Sequence, residues 1–209
     1  MTDEQTHKPG SFWRELPILV GVAVVVAVLV RAFVLQTFFI PSESMENTLR
    51  IDDRVLVNKL IYDFRDPRRG EIVVFEAPDN WRTNPAKEDF IKRVIGVGGD
   101  RVVCCDEQQR LVINGQPLDE PYLYAYDGEV DRASEEPFDI TVPPGRLWVM
   151  GDHRSHSGDS RDHFVNTRDI DTATVPVRSV VGRAFVIFWP VSNTSWLSVP
   201  GSFAAVPDP

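Results

Sequence analysis

Apolar positions run together near the start of the chain and then break into short bursts. Leu16 to Val30 is an uncharged run of fifteen residues. As a helix it would be about 22 Å long, against a bilayer hydrocarbon core of about 30 Å. Arg31 follows, and its long cationic side chain can reach headgroups while Ala32 to Phe39 continue the apolar character. The pattern predicts a short polar tail over residues 1–15 and a transmembrane anchor over 16–31. A cleaved export signal would place small residues in an Ala-x-Ala arrangement after the run, which Arg31-Ala32-Phe33-Val34 does not supply. A buried core helix matches the length, but the run has no polar face and precedes a polar domain. Lys8 and Arg14 are offset by Asp3, Glu4 and Glu15, so charge gives only a weak orientation signal.

Beyond the anchor the bursts have the length and β-branched content of strands. Asp53 to Asn58 and Glu71 to Phe75 flank the turn-prone Asp66-Pro67-Arg68-Arg69-Gly70. Similar runs recur at Arg101 to Cys104, Arg110 to Ile113, Leu147 to Met150 and Val180 to Phe188, and Asn114-Gly115 is a tight-turn signal. These runs predict a mainly β body over 32–190. An acidic, Tyr- and Pro-rich irregular insertion is expected around 104–144, and a Ser- and Pro-rich flexible tail over 191–209. The strip Phe33 to Ile40 fits either a core strand or an apolar patch resting on lipid, and periodicity does not separate the two.

The chain has 209 residues, 43% apolar and 25% charged, enough for a real core after the first forty or so. Its net charge of -9, with no Lys/Arg-rich block, argues against a nucleic-acid partner. Cys104 and Cys105 are adjacent. Strand alternation would send their thiols to opposite faces, which makes separate thiols the default, while an extracytoplasmic body would permit oxidation.

Three polar runs carry candidate chemistry. In Pro41-Ser42-Glu43-Ser44-Met45, a serine lies a few residues beyond the anchor, at the height of a membrane surface. In Phe90-Ile91-Lys92-Arg93-Val94, alternation puts Lys92 on one face with Phe90 and Val94, and Arg93 on the other. Apolar surroundings disfavour an ammonium ion and bring a lysine toward neutrality, where it can accept a proton; guanidinium cannot follow. A lone strand lysine is ordinarily a solvated charge, so Lys92 needs company to be functional. The third run, Gly151-Asp152-His153-Arg154-Ser155-His156-Ser157-Gly158-Asp159-Ser160-Arg161, follows a buried-looking strand. Its spacing fits no EF-hand, and its histidines, with His163, match no common zinc pattern, so no metal is expected. His153 and His156 are expected at the loop surface.

In this order, after an anchor, the three runs resemble bacterial type I signal peptidases. The resemblance covers about residues 30 to 190, including Arg31-Ala32-Phe33, Phe39-Ile40-Pro41, Asn114-Gly115 and Glu120-Pro121-Tyr122-Leu123. It implies a signal-peptidase-like β catalytic body outside the cytoplasmic membrane, with a single N-terminal transmembrane helix and a cytoplasmic N-terminus. The implied activity is removal of signal peptides from secretory preproteins with small residues before the cut. Ser44 matches the nucleophile, Lys92 the general base, and Ser42 a hydroxyl that joins the Ser44 N–H in an oxyanion hole. Ser157 matches a residue that orients the lysine, Asp159 and Arg161 a supporting ion pair, and Asp152 a structural acid. No cofactor is implied, membrane lipid is an expected partner, and a monomer is expected. Glu43 departs from the small residue frequent at its position. A membrane-tethered binding protein would keep the anchor and the β body but would have no use for Ser44, Lys92 and Ser157 together. A cytosolic self-cleaving repressor would share the serine–lysine chemistry but carry a DNA-binding region in place of the anchor.

Overall fold

A computed structural model of the chain describes residues 12–29, 34–82 and 89–209, with the backbone alone at 12–14, 27 and 29. It begins with helix α1 (Phe12–Leu29), whose described aliphatic side chains are exposed, Ile18 by 67% and Val28 by 60%. Among the described residues no helix is long and apolar enough to cross a membrane. Positions 30 and 31 of the expected anchor, and all of 1–11, lie outside the described residues.

The body is mainly β, as the bursts predict. Strands β1 (Leu35–Phe39), β2 (Arg54–Asn58), β3 (Ile72–Glu76) and β4 (Asp89–Val97) come first, with one helical turn, α2 (Ile61–Phe64), between β2 and β3. Then follow β5 (Arg101–Cys104), β6 (Leu111–Ile113), β7 (Gln116–Pro117), β8 (Ala125–Tyr126), β9 (Glu129–Val130), β10 (Phe138–Thr141) and β11 (Arg146–Met150). Helices α3 (Ser160–Thr167) and α4 (Ile170–Ala173) precede β12 (Val175–Pro176), β13 (Val180–Trp189) and β14 (Ser195–Trp196). The larger sheet runs β1-β2-β13-β3-β4-β11-β12, with β14 on β13, and every pairing in it is antiparallel. A second sheet, β10-β5-β6-β7, covers part of the stretch 104–144 expected to be irregular. Phe138 and Ile140 alternate inward along β10 with exposed Asp139 and Thr141, a period-two signal hidden among acidic and proline neighbours.

The tail expected to be flexible is packed. Phe203 and Val206 join the core cluster that holds Trp148 and Met150, and Phe203 lies against Gly70. Gly70 has φ +81°, and a Cβ there would stand 2.7 Å from the Phe203 ring, so the turn before β3 needs glycine both for its backbone and for the tail. Cys104 and Cys105 are joined by a disulfide; Cys105 lies beyond the end of β5, so strand alternation does not send the two sulfurs to opposite faces.

β4 lies between β3 and β11, with Lys92 opposite Val73 and Arg93 opposite both Ile72 and Met150. Both flanking strands are mostly buried and apolar, Ile72 to Phe75 on one side and Leu147 to Met150 on the other, so the two cations of β4 are held in the interior.

Candidate active site

Ser44 lies in a turn after β1 rather than in the extended segment its neighbours suggest. Glu46 N–H donates to Glu43 O at 2.8 Å and Leu49 N–H to Met45 O at 2.7 Å. Met45 and Leu49, both without solvent exposure, plug this turn into a core cluster with Ile40, Val55 and Ile187. Truncating a side chain buried so completely costs about 2–5 kcal/mol. The position of Ser44 is therefore fixed largely by the residue that follows it.

The turn meets β4 at the reactive pair. Lys92 Nζ donates to Ser44 Oγ at 2.6 Å, a contact buried at both ends, with Lys92 4% and Ser44 6% exposed. Burial moves the Lys92 pKa down from 10.5 to about 8, while Asp159 and then Asp152 pull it upward. The apolar-face expectation for Lys92 holds: its ammonium lies 5.8 Å from the Phe90 ring. Ser42 Oγ is 3.5 Å from Ser44 Oγ, so the bend keeps the two hydroxyls together although the backbone is not extended.

Arg93, on the opposite face, is committed elsewhere. Its Nε and Nη2 donate to Asp152 Oδ1 and Oδ2 at 2.9 and 2.6 Å, both groups almost fully buried, and its guanidinium lies 4.0 Å from the centre of the Tyr122 ring. Thr48 Oγ1 donates to the same Asp152 carboxylate, tying the Ser44 turn to β4 through a second contact.

The loop after β11 closes the site. His153 N–H donates to Ser44 O at 3.2 Å. Asp159 caps α3 by accepting from Arg161 N–H and Asp162 N–H, and its other oxygen accepts from Gly151 N–H at 3.0 Å. Arg161 Nε lies 3.5 Å from Asp159, and its Nη2 donates to the carbonyls of Arg154 and Ser157 at 2.6 and 3.2 Å. Ser157 Oγ is buried with no hydrogen-bond partner among the described residues, so no bond runs from it to Lys92. It packs against Gly151, where an added Cβ would stand 2.3 Å from Ser157 Oγ and from Ser44 O.

All seven residues singled out in the sequence thus fall around one point. Sequence reasoning missed several others. The buried pair Arg154–Glu120 anchors the loop to the stretch before β8, and the rings of Trp81 and His163 stack at 4.4 Å beside the cleft. Glu120 and Tyr122 had a signal in Glu120-Pro121-Tyr122; Trp81 had none, since its partner is distant in sequence. His153, expected at the surface, is 5% exposed, because it is sandwiched between Tyr124 and His156.

Ser44 and Lys92 open on a cleft of about 310 Å³ with walls from Phe38, Ile40, Val74, Trp81 and Ile91. A larger depression of about 630 Å³, bordered by Asp66 and Arg146, has no nucleophile beside a base. A serine hydroxyl bonded to a desolvated amine beside an apolar cleft is the arrangement of hydrolases that use an amine base in place of histidine.

Comparison with known proteins identifies a family of peptidases. The profile of the family described as signal peptidase, peptidase S26, matches residues 13–189. Signal peptidase I of Mycobacterium tuberculosis is 38% identical over 92% of this chain and 78% of its own length. Signal peptidase I of Leptolyngbya laminosa is 40% identical over 88% of this chain and 83% of its own. For that of Bacillus caldolyticus the values are 37%, 90% and 94%. A solved signal peptidase I from Enterococcus faecalis V583 superposes with a TM-score of 0.43 at 30% identity, covering 57% of this chain and 97% of that one. The chain belongs to the signal peptidase family, peptidase S26, and is accordingly a serine peptidase, a hydrolase.

Proposed function

We propose that this protein is a membrane-bound endopeptidase that removes N-terminal signal peptides from exported preproteins with a Ser44/Lys92 dyad. The observation that carries this reading is the buried 2.6 Å contact between Lys92 Nζ and Ser44 Oγ. Neutral Lys92 takes the hydroxyl proton as Ser44 attacks the scissile carbonyl, and returns it to the leaving amine. Ser42 Oγ and the Ser44 N–H stabilise the developing oxyanion; one such donor is typically worth about 100- to 1000-fold in rate. Ser157 Oγ, buried beside Gly151 and without a hydrogen-bond partner among the described residues, is available to orient the amine once it has lost its proton. Asp159, Arg161 and Asp152 act as positioning residues, holding the loop and β4.

The preference for small side chains before the cut is carried over from the family resemblance; the apolar walls of the cleft suit uncharged ones. Membrane tethering by α1 rests on the exposed aliphatic side chains of that helix, Ile18 to Val28, which no described residue of the body covers. The N-terminus would then be cytoplasmic and the β body extracytoplasmic, with lipid as the only standing partner of a monomer. The test is cleavage, in detergent, of a preprotein carrying a small-x-small site. Ser44→Ala and Lys92→Arg should each abolish it, and full activity in Lys92→Arg would remove the neutral-amine mechanism.

A further inference from the structure

On the rim of the Ser44 turn, three metal-ligating side chains converge that the proposed proton transfer does not use. Glu43, His153 and His156 each bring one donor atom within 4.8 Å of the other two. His156 Nδ1 lies 2.6 Å from Glu43 Oε1. The His153 and His156 rings stack 4.5 Å apart and nearly parallel, and His153 is pinned from behind by Tyr124 at 3.9 Å. Glu46 Oε2, 3.9 Å from His153 Nδ1, offers a further oxygen on the same rim. The arrangement is preset on one side and adjustable on the other, since His153 is buried while Glu43 and His156 are about half exposed.

Two imidazole nitrogens with a carboxylate suit zinc and its first-row neighbours, whereas calcium and magnesium favour oxygen-only sets. Ligands about 2 Å from one zinc ion stand roughly 3.3 Å apart in a tetrahedron. Bringing the present donors to that spacing needs movements of about 1.5 Å or less and a turn of the half-exposed His156 ring out of its stack on His153, because parallel rings cannot both direct an in-plane lone pair at one ion. The histidines alone match no common spacing, and Glu43 lies over a hundred positions away from them in the chain.

We propose that Glu43, His153 and His156 form an inhibitory binding site for a divalent first-row transition-metal ion, zinc foremost, on the rim of the Ser44–Lys92 cleft. The ion takes the place of the hydrogen bond between His156 Nδ1 and Glu43 Oε1, and a proton held at Nδ1 passes to Nε2 or to solvent. Glu43 separates Ser42 from Ser44, and His156 lines the cleft, so a metal bridging them ties the nucleophile's turn to the opposite loop across the substrate's path. Binding stands on the cluster alone; inhibition rests on the peptidase reading above.

The test uses the untagged full chain in detergent, stripped with chelator and titrated calorimetrically with zinc chloride, with cobalt(II) as a spectroscopic stand-in. One ion per chain is expected, with cobalt bands of a low-coordinate nitrogen/oxygen site, and peptide cleavage falling over the same zinc range. Glu43→Gln and His156→Asn should each weaken zinc binding by at least about tenfold, the scale of disturbing a metal site, and raise the inhibitory concentration by the same factor. His163→Asn, across the cleft on Trp81, and Ser44→Ala should keep wild-type zinc affinity. Unchanged zinc affinity in both Glu43→Gln and His156→Asn overturns the site, as does its loss in Ser44→Ala, which would place the ion on the dyad instead. Binding without inhibition overturns the inhibitory role. Zinc binding that depends on Glu43, in a chain that cleaves nothing even without metal, upholds the site and rejects the peptidase reading.

Discussion

Lys92 makes the sharpest prediction, because in the proposed mechanism its ionisation state sets the rate. With a pKa of about 8, about one tenth of the molecules carry a neutral amine at pH 7 and about nine tenths at pH 9. An ordinary lysine at 10.5 would be neutral in only about 0.03% at pH 7, so the depression raises the reactive fraction about 300-fold there. Measured as kcat/KM on a soluble fluorogenic peptide, the rate should climb about tenfold between pH 7 and 9, with the slope of a single ionisation, and then level. Loss of activity in Lys92→Arg should hold at every pH. A midpoint near 6.5 would point to a histidine base, and one above 10 to a solvated lysine. Either result, or a flat profile, would refute the dyad as drawn.

Four further outcomes follow from the same contacts. Gly151→Ala should abolish cleavage while leaving a folded chain, since its Cβ would meet Ser44 O and Ser157 Oγ at 2.3 Å; activity beside circular dichroism checks this. Ser42→Ala should lower kcat about 100- to 1000-fold with little change in KM, read by steady-state kinetics. Arg93→Met should destabilise the chain by about 3–5 kcal/mol in denaturant titration, because it leaves Asp152 buried and unpaired. Lys92→Met should raise thermal stability most below pH 8: the folded pKa lies below the unfolded one, so the cost of burying the ammonium is fully present under pH 8 and gone above 10.5. A constant difference between Lys92→Met and the unaltered chain across that range would contradict the assignment.

Most of the strands and the candidate site could be read from residue order, for a physical reason. Strands such as β2, β3 and β13 are encoded by local β-branched content, and the pair Asn114-Gly115 encodes a turn with both residues at positive φ. The site was legible because each reactive residue sits in a short run with strong local preferences. What stayed hidden was non-local. Ser157 was expected to hold Lys92, yet whether its hydroxyl reaches the amine depends on how Gly151 seats two loops together. The packed tail depends on Phe203 meeting a glycine more than a hundred residues earlier. The burial of His153 depends on Tyr124, on a stretch whose composition suggests only a solvated loop.

A harder question is why Lys92 does not form an ordinary ion pair, since Asp152 and Asp159 both bias it toward the charged form. The answer lies in what those carboxylates already hold. Asp152 is engaged by both arms of Arg93 and by Thr48, and Asp159 by three backbone N–H groups and the neighbouring Arg161. With their lone pairs committed, neither makes a direct bond to the amine, whose hydrogen-bond partner is Ser44. Desolvation is then the larger effect and the lysine falls toward neutrality instead of being locked as a cation. In the proposed mechanism the adjacent cation Arg93 is thus what would let its neighbour act as a base: one residue absorbs the negative charge on one face of β4, so that the other can lose its proton on the opposite face. Arg93→Met should accordingly shift the surviving activity profile to higher pH, an effect that a merely structural role for Arg93 would not produce.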